Sequence, residues 1–554
     1  MAKDYSTWSK PDLIRELDKV GKRKKYGIVW EDKVEEVAKL CKEKLPILEE
    51  VKQKEIVNIK DSSSPTNILV EGDNYHSLSV LCYTHSRAID IIYIDPPYNT
   101  GSAKEWKYND KFIDREDSYR HSKWLSFMEK RLKLAKNLLK FDGLVYISVG
   151  SDELAQLKIL CDEIYGEINF IEIVTRVSKT ASNQGTHFSP SVDYILCYSK
   201  NLEKLGTFKD IITEKYIKLF NKQDKRGMYR EISFFQSGLV GERPSRYYVE
   251  CPDGSKAIPP IKKFWRWSEE TYIKNLDEDR VIFKKAKNSP LLDGSGVKSL
   301  WNIYTKTYLD DRKEKGNRPR NFLTEYINRQ GADLLSAMKI DFNYSKPVGL
   351  IKYLIQITNK QKDVTILDFF AGSGTTGHAV LELNKEDSGN RKFILCTNNE
   401  DNNGDGAKIA EDICYPRISR VIKGYNGVNG LGGNLKYFKT DFVDAEQTDE
   451  NKRKLVDKST DMLCLKEDCF EKLEEGHEFK IFTNGQNKLL GIIYDDKGIV
   501  PFKETAKKIN KRLVVYVFSL DESAREEEFE DIRNLVNLKP IPAVILNVYK
   551  RIFK

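Results

Sequence analysis

The run Ile91–Ile92–Tyr93–Ile94–Asp95–Pro96–Pro97–Tyr98 joins an apolar, strand-like stretch to an acid, two prolines and an aromatic ring. Two prolines end the strand and make a stiff turn without N–H donors. The turn therefore presents acceptors, the Asp95 carboxylate and the Pro96 carbonyl. Such a set suits an aromatic amine like that of adenine or cytosine, whose lone pair is delocalised into the ring and attacks poorly. Two acceptors gripping its hydrogens favour a pyramidal nitrogen and free the lone pair, while Tyr98 can stack on the base. A plain strand-to-loop turn could carry the same four residues. Their place at the carboxyl end of a buried parallel strand, where ligands of open α/β sheets sit, favours chemistry.

A second constellation is Asp368–Phe369–Phe370–Ala371–Gly372–Ser373–Gly374–Thr375–Thr376, after the apolar run Val364–Leu367 and before a helix. Its glycines allow a sharp turn and close approach to a ligand, and the helix that follows offers free N–H groups. Gly377 completes GxGxxG, so a dinucleotide fold competes, with Glu400 as its acid near the end of the next strand. No GxxxxGK[ST] occurs, which removes the P-loop reading.

Both turns need a buried sheet to hold them. Ile68–Leu69–Val70 ends in Glu71–Gly72–Asp73–Asn74. Leu144 to Val149 follows a helix-like stretch from Ser122 to Lys140, and Lys392 to Thr397 follows the second motif. Apolar strands alternating with amphipathic helices predict an α/β fold with a mostly parallel sheet. Residues 1–60 read as a helical, charged N-terminal segment broken near Pro46, with a loop at Asp61–Thr66. Residues 171–335 lack βαβ alternation and are rich in aromatics and arginines. Residues 441–554 read as a small α+β domain with strands at Phe479–Phe482, Leu489–Tyr494, Leu513–Phe518 and Ala543–Val548.

A chain of 554 residues must build several compact units. Its net charge of +8 permits a polyanionic partner without demonstrating one. Nine cysteines without a CxxC pair and only six histidines suit a reducing cytoplasm and predict no metal site. No apolar run reaches the roughly 18 residues of a membrane span, and MAKDYSTWSK lacks the apolar core of a leader. A cytoplasmic protein without membrane contact is expected.

Taken together, the motifs resemble the amino-methyltransferases of DNA restriction–modification systems in their permuted, beta-group order, where the DPPY motif precedes the FxGxG motif. Further matches are Leu69–Asn74, Asn99–Thr100–Gly101 and Ser345–Lys346–Pro347, over about residues 60–440. Tyr415–Pro416–Arg417–Ile418 and Gly432–Gly433–Asn434–Leu435–Lys436–Tyr437 extend the likeness to the modification (Mod) subunits of type III systems. The resemblance implies a Rossmann-like core in two halves, catalytic at 61–170 and cofactor-binding at 336–440, around a target-recognition domain at 171–335. It implies that Asp95, Pro96, Pro97 and Tyr98 hold a flipped base. It also implies that Asp73, Lys346, Pro347, Asp368, Phe370, Gly372, Gly374, Thr375 and Glu400 surround S-adenosyl-L-methionine, with Asn399 or Asp401 as substitutes for Glu400.

In the family the chain resembles, members acting on cytosine N4 more often carry serine at the first motif position, so the resemblance with Asp95 there implies adenine N6. None of the seventeen prolines precedes a cysteine, so the covalent route to a ring carbon has no nucleophile at its usual place. Direct transfer onto a flipped base of double-stranded DNA is the expected reaction. Arg230, Arg243, Arg246, Tyr248 and Arg266 are candidate DNA contacts, although alternating Trp265 and Trp267 also read as one buried strand face. A homodimer and a restriction (Res) partner follow from the Mod resemblance. The competing functions are an amino-methyltransferase on RNA or a protein amide, and a recognition subunit active only with a partner.

Overall fold

The computed structural model describes residues 8–14, 30–58, 64–101, 107–108, 111–113, 115–180, 187–237, 245–342, 344–358, 360, 362–399, 406–521 and 523–553. The chain forms two compact units, Met1–Thr207 with Arg320–Lys554, and Phe208–Pro319.

The larger unit is built on a ten-stranded sheet. Its strands in chain order are β1 (Lys44–Glu50), β2 (Thr66–Glu71), β3 (Ile89–Ile94), β4 (Leu139–Val149) and β5 (Phe170–Val177). They continue with β6 (Val192–Ser199), β7 (Phe322–Leu323), β8 (Thr365–Asp368), β9 (Lys392–Thr397) and β10 (Asn434–Asp444). Across the sheet they lie in the order β1-β10-β2-β9-β8-β3-β4-β6-β5-β7. The centre from β10 to β4 is parallel throughout. Every residue of β3 is buried, as continuous apolar runs covered on both faces require.

The chain leaves β8 for β9 on one side and β3 for β4 on the other, although β8 and β3 are neighbours. Their carboxyl ends therefore flank a topological switch point, the place where open α/β sheets part to admit a ligand. Residues 95 and 368 emerge side by side there, 273 positions apart in the chain by subtraction of their numbers.

Several expectations change. Residues 1–60 are not simply helical: α1 (Glu36–Glu43) runs directly into β1, which pairs antiparallel with β10. Pro46 fits because β1 is the edge of the sheet, where a missing N–H costs no ladder bond. The expected recognition segment 171–335 is too wide, since β5, β6 and β7 complete the large sheet and the separate unit spans Phe208–Pro319. Ala543–Val548 is not a strand but the start of α8 (Ala543–Ile552). Its β-branched run suggested a strand. Ile545, Leu546 and Tyr549 instead share one buried helical face behind Pro542.

The C-terminal strands that do form are Glu471–Gly476, Phe479–Thr483, Leu489–Ile493, Leu513–Phe518 and Val536–Ile541, in one mixed sheet in that order. This region is not separate from the core. Met462, Leu463, Leu546 and Tyr549 join the hydrophobic cluster of α2 (Asn74–Thr84), which is buried from Tyr75 to Thr84. A helix buried on all sides needs such a second cover.

The smaller unit holds a four-stranded antiparallel sheet with Gly227–Ser233 and Trp301–Tyr308 at its centre. Its own core stacks Phe234 on Trp265, ring centroids 4.6 Å apart and 16° from coplanar. Among the described residues no helix is long and apolar enough to cross a membrane.

Candidate functional site

Asp95–Pro96–Pro97–Tyr98 leaves β3 at the switch point. Trp124, fully buried on α3 (Arg120–Leu138), donates its indole N–H to the Pro97 carbonyl at 2.7 Å. A Cβ on Gly150 would stand 3.0 Å from Tyr98 Cδ2, so glycine there lets the end of β4 approach the ring. Asn99, at φ 57°, closes the turn by donating to Glu153 Oε1 at 2.5 Å, and His121 Nδ1 lies 2.6 Å from the same oxygen. Burial raises the Glu153 carboxyl above the usual range, which the Asn99 and His121 contacts oppose.

Lys346 Nζ donates to Asp95 Oδ2 at 2.5 Å and stands 5.0 Å from the centroid of the Tyr98 ring. Asp95 Oδ1 and the Tyr98 hydroxyl are buried without a partner among the described residues. Burial and the Asp95 charge push the Tyr98 phenol far up, so it stays neutral. Two buried polar atoms, one on the carboxylate and one on the ring, are thus left unsatisfied at this turn, which marks it as a candidate place for a polar ligand.

At the neighbouring strand end, Asp368 accepts from the Phe370 N–H at 3.0 Å and from the Thr376 hydroxyl at 2.6 Å. Burial drives its carboxyl up to about 7, and the Asp95 charge adds to this against the two hydrogen bonds and Lys346. Gly372 and Gly374 have φ of 49° and 80°, a region side chains resist. A Cβ on Gly372 would find nothing closer than Phe342 Cζ at 3.7 Å, so the backbone there faces space that a ligand can enter. Gly377 serves packing instead. Its Cβ would meet Ile418 Cδ1 at 2.7 Å, holding α6 (Thr375–Asp387) close to α7 (Tyr415–Lys423).

Beneath this loop lies Arg417, fully buried on α7. Its Nη1 donates to Ser373 Oγ, Thr375 Oγ1 and Ser345 Oγ at 2.8, 2.9 and 3.2 Å. Burial pulls the guanidinium down to about 10, so it remains charged at neutral pH. It ties the glycine loop to Ser345–Lys346–Pro347, and Pro347 in turn starts α5 (Val348–Ile357). The role of this arginine was not among the expected site residues. Its only signal was its place in Tyr415–Pro416–Arg417–Ile418, an apolar stretch in which a lone arginine must be buried or turned outward.

Asp73 sits at the end of β2 and caps α2, accepting from the Tyr75 N–H at 2.7 Å. It also lies 3.4 Å from Arg131, a fully buried arginine that binds Glu35 at 2.7 Å and Asn74 Oδ1 at 2.5 Å. Asn74 then donates to the Phe369 carbonyl at 3.0 Å, linking the β2 and β8 turns. Phe370 packs 5.8 Å from Phe127. Asn399 caps the Glu411 N–H at 3.1 Å, while Glu400 and Asp401 lie outside the described residues.

In the smaller unit, Arg230 stacks over Tyr216 and Phe220, each ring centroid 5.3 Å away. Arg246 donates to the Pro260 and Lys263 carbonyls at 2.7 and 2.9 Å, and Arg266 to the Ser233 carbonyl and Gln236 Oε1 at 2.7 and 2.9 Å. These arginines brace their own unit while remaining at or near its surface. Tyr248 is half exposed, and Arg243 lies outside the described residues. Buried Trp265 ends the strand Lys263–Trp265, while exposed Arg266 and half-buried Trp267 lie in the bend beyond it, so the expected single strand face does not reach Trp267.

The family model described as DNA methylase matches residues 89–403, from the start of β3 beyond the end of β9. The type III restriction-modification enzyme StyLTI Mod subunit of Salmonella typhimurium is 31% identical over 399 residues, 66% of this chain and 58% of that one. The type II methyltransferase M.KpnI of Klebsiella pneumoniae is 32% identical over 415 residues, 70% of this chain and 94% of that one. The EcoPI Mod subunit of Escherichia phage P1 is 30% identical over 424 residues, 66% of this chain and 62% of that one. The alignments thus span less than two thirds of either Mod subunit.

Proposed function

The chain belongs to the N6/N4 DNA methylase family, and from that premise we propose that it methylates the N6 of adenine in duplex DNA. The observation that carries this reading is the meeting of Asp95 and Tyr98 with the Gly372–Gly374 loop at one switch point. Asp95 Oδ1 and the Tyr98 hydroxyl lie buried there without a partner among the described residues.

S-adenosyl-L-methionine, when bound, supplies an electrophilic methyl group on a sulfonium. The space at Gly372 and the buried Asp368 below it fit such a cofactor. Asp368, Phe370, Gly372, Gly374 and Thr375 would hold it, with Asp73 and Pro347 at the margins and Glu400 at its ribose. Asp95 and the Pro96 carbonyl accept the amine hydrogens, which draws the nitrogen lone pair out of the ring. Tyr98, neutral and flanked by Gly150, stacks on the base. Pro97, locked by Trp124, keeps the turn from yielding. The base must leave the helix to reach these groups, at a cost of a few kcal/mol. Preorganised polar groups in a site closed to water supply most of the acceleration.

The smaller unit is the candidate for target recognition, with Arg230, Arg246, Tyr248 and Arg266 as contacts. Likeness to Mod subunits suggests a homodimer that serves a restriction partner. A stand-alone modification enzyme is the second reading, favoured by the alignment that spans 94% of M.KpnI. Sequencing of modified bases in DNA from cells expressing this chain alone tests the proposal. N6-methyladenine at one recurrent sequence is expected. Methyl groups on cytosine, or on RNA or protein alone, would overturn it.

A further inference from the structure

The ammonium of Lys346 touches both groups that the proposed reaction assigns to the target base. It is 2.5 Å from Asp95 Oδ2 and 5.0 Å from the centre of the Tyr98 ring. To the carboxylate, an ammonium and an aromatic amine look alike, since each is a nitrogen offering N–H donors. The pair is largely out of water, the side chains of Lys346 and Asp95 being 11% and 21% exposed. Such a pair is costly to break unless another donor takes its place.

The backbone that carries Lys346 is held from several sides. Thr375 Oγ1 donates to the Lys346 carbonyl at 3.4 Å, and Arg417 holds Ser345. On α4 (Asn328–Ala337), a Cβ at Gly331 would fall 2.3 Å from the Ser345 carbonyl oxygen. The movable part is therefore the lysine side chain. We propose that Lys346 is a positioning residue for methyl transfer, its ammonium occupying the target amine's place on Asp95 until the entering base displaces it. This rests on the methylation reading and goes beyond the expectation that Lys346 only borders the cofactor.

The charges around Asp95 make the idea testable. Asp368 on β8 and Tyr93 on β3 feel the Asp95 charge, as does Tyr98 on the same turn, and the Arg176–Asp193 ion pair of β5 and β6 acts on Tyr98 as well. Without Lys346, Asp368 keeps the Asp95 charge beside it and loses the Lys346 charge that opposes it, so it holds its proton more tightly. A protonated Asp368 withdraws a negative charge from the glycine loop it supports.

The experiment compares wild type, Lys346→Arg and Lys346→Met in pH profiles of kcat/KM on duplex DNA, which report the free enzyme in which the lysine still holds Asp95, with equilibrium binding of S-adenosylhomocysteine to each. In Lys346→Met the acid limb of kcat/KM should move up by about one pH unit, with about a tenfold lower kcat/KM on that limb that recovers in alkali. Lys346→Arg should keep the wild-type limb, and all three should bind S-adenosylhomocysteine with affinities within about threefold, well inside the 1.4 kcal/mol that a factor of ten represents. An unmoved limb in Lys346→Met, or a fall in S-adenosylhomocysteine affinity that accounts for the lost rate, overturns this inference alone. A wild-type chain that methylates no duplex DNA overturns it together with the methylation reading.

Discussion

Asp95 and Asp368 are both carboxylates at adjacent strand ends, yet their surroundings give them different work. Asp95 has one oxygen unpartnered among the described residues and a lysine on the other, whereas both Asp368 oxygens are taken by the loop it supports. Asp95→Ala should therefore lower methyl transfer by at least about 10²-fold, the scale of losing a preorganised polar contact, while cofactor binding survives. Single-turnover transfer and cofactor titration on the same sample would show it; a proportional loss of both would contradict the assignment. Asp368 carries a pH signature. Its carboxyl is raised to about 7 by burial, so the folded state holds its proton more tightly than the unfolded chain does. The stability this confers is complete below the usual carboxylate range and is lost as pH rises through about 7, up to about 4 kcal/mol. Asp368→Asn, neutral throughout, should not show that decline, so its urea midpoint relative to wild type should rise between pH 5 and pH 8. Parallel pH dependence in the two proteins would refute this.

At the scale of elements, glycine positions report how tightly the site is clamped. Gly331 lies within α4, where helix propensity disfavours it, and its missing side chain lets α4 pass against the Ser345 and Lys346 carbonyls. Gly331→Ala should destabilise the fold by about 1–3 kcal/mol through overpacking. It should also slow transfer, because the segment bearing Lys346 must shift. Thermal melting and kcat measured on the same variant check both parts, and an alanine that stabilises the protein would show the clamp to be slack. A glycine inside a helical pattern was a visible signal, but its neighbour 14 residues on was not, since residues 331 and 345 meet only by folding. The misread strand at Ala543–Val548 has a related cause. Short apolar runs fit strand and helix alike, and here burial against α2 decides for the helix.

At the scale of the whole molecule, the inserted unit closes on itself. The Asp210 N–H donates to the Asn317 carbonyl at 2.8 Å, and Arg318 to the Phe208 carbonyl at 3.1 Å, so its entry and exit lie together. Replacing residues 210–317 by a short Gly/Ser linker should leave a remainder that unfolds cooperatively and binds cofactor but no longer methylates a specific sequence. Calorimetry, cofactor titration and modified-base sequencing would check this; retained sequence-specific methylation would remove the recognition role from this unit.

The local order of residues determined the two turns, their chemistry and the parallel sheet between them. Proline pairs, glycine spacing and fully apolar strands are short-range features, each with a direct conformational cause. Tertiary structure alone decided that Lys346 bonds Asp95, that Arg417 ties the glycine loop to Ser345, and that Lys44–Glu50 finishes the sheet against Asn434–Asp444. Each joins residues tens to hundreds of positions apart. Which polar groups share a buried space depends on how strands order themselves across the sheet, and no local pattern encodes that order.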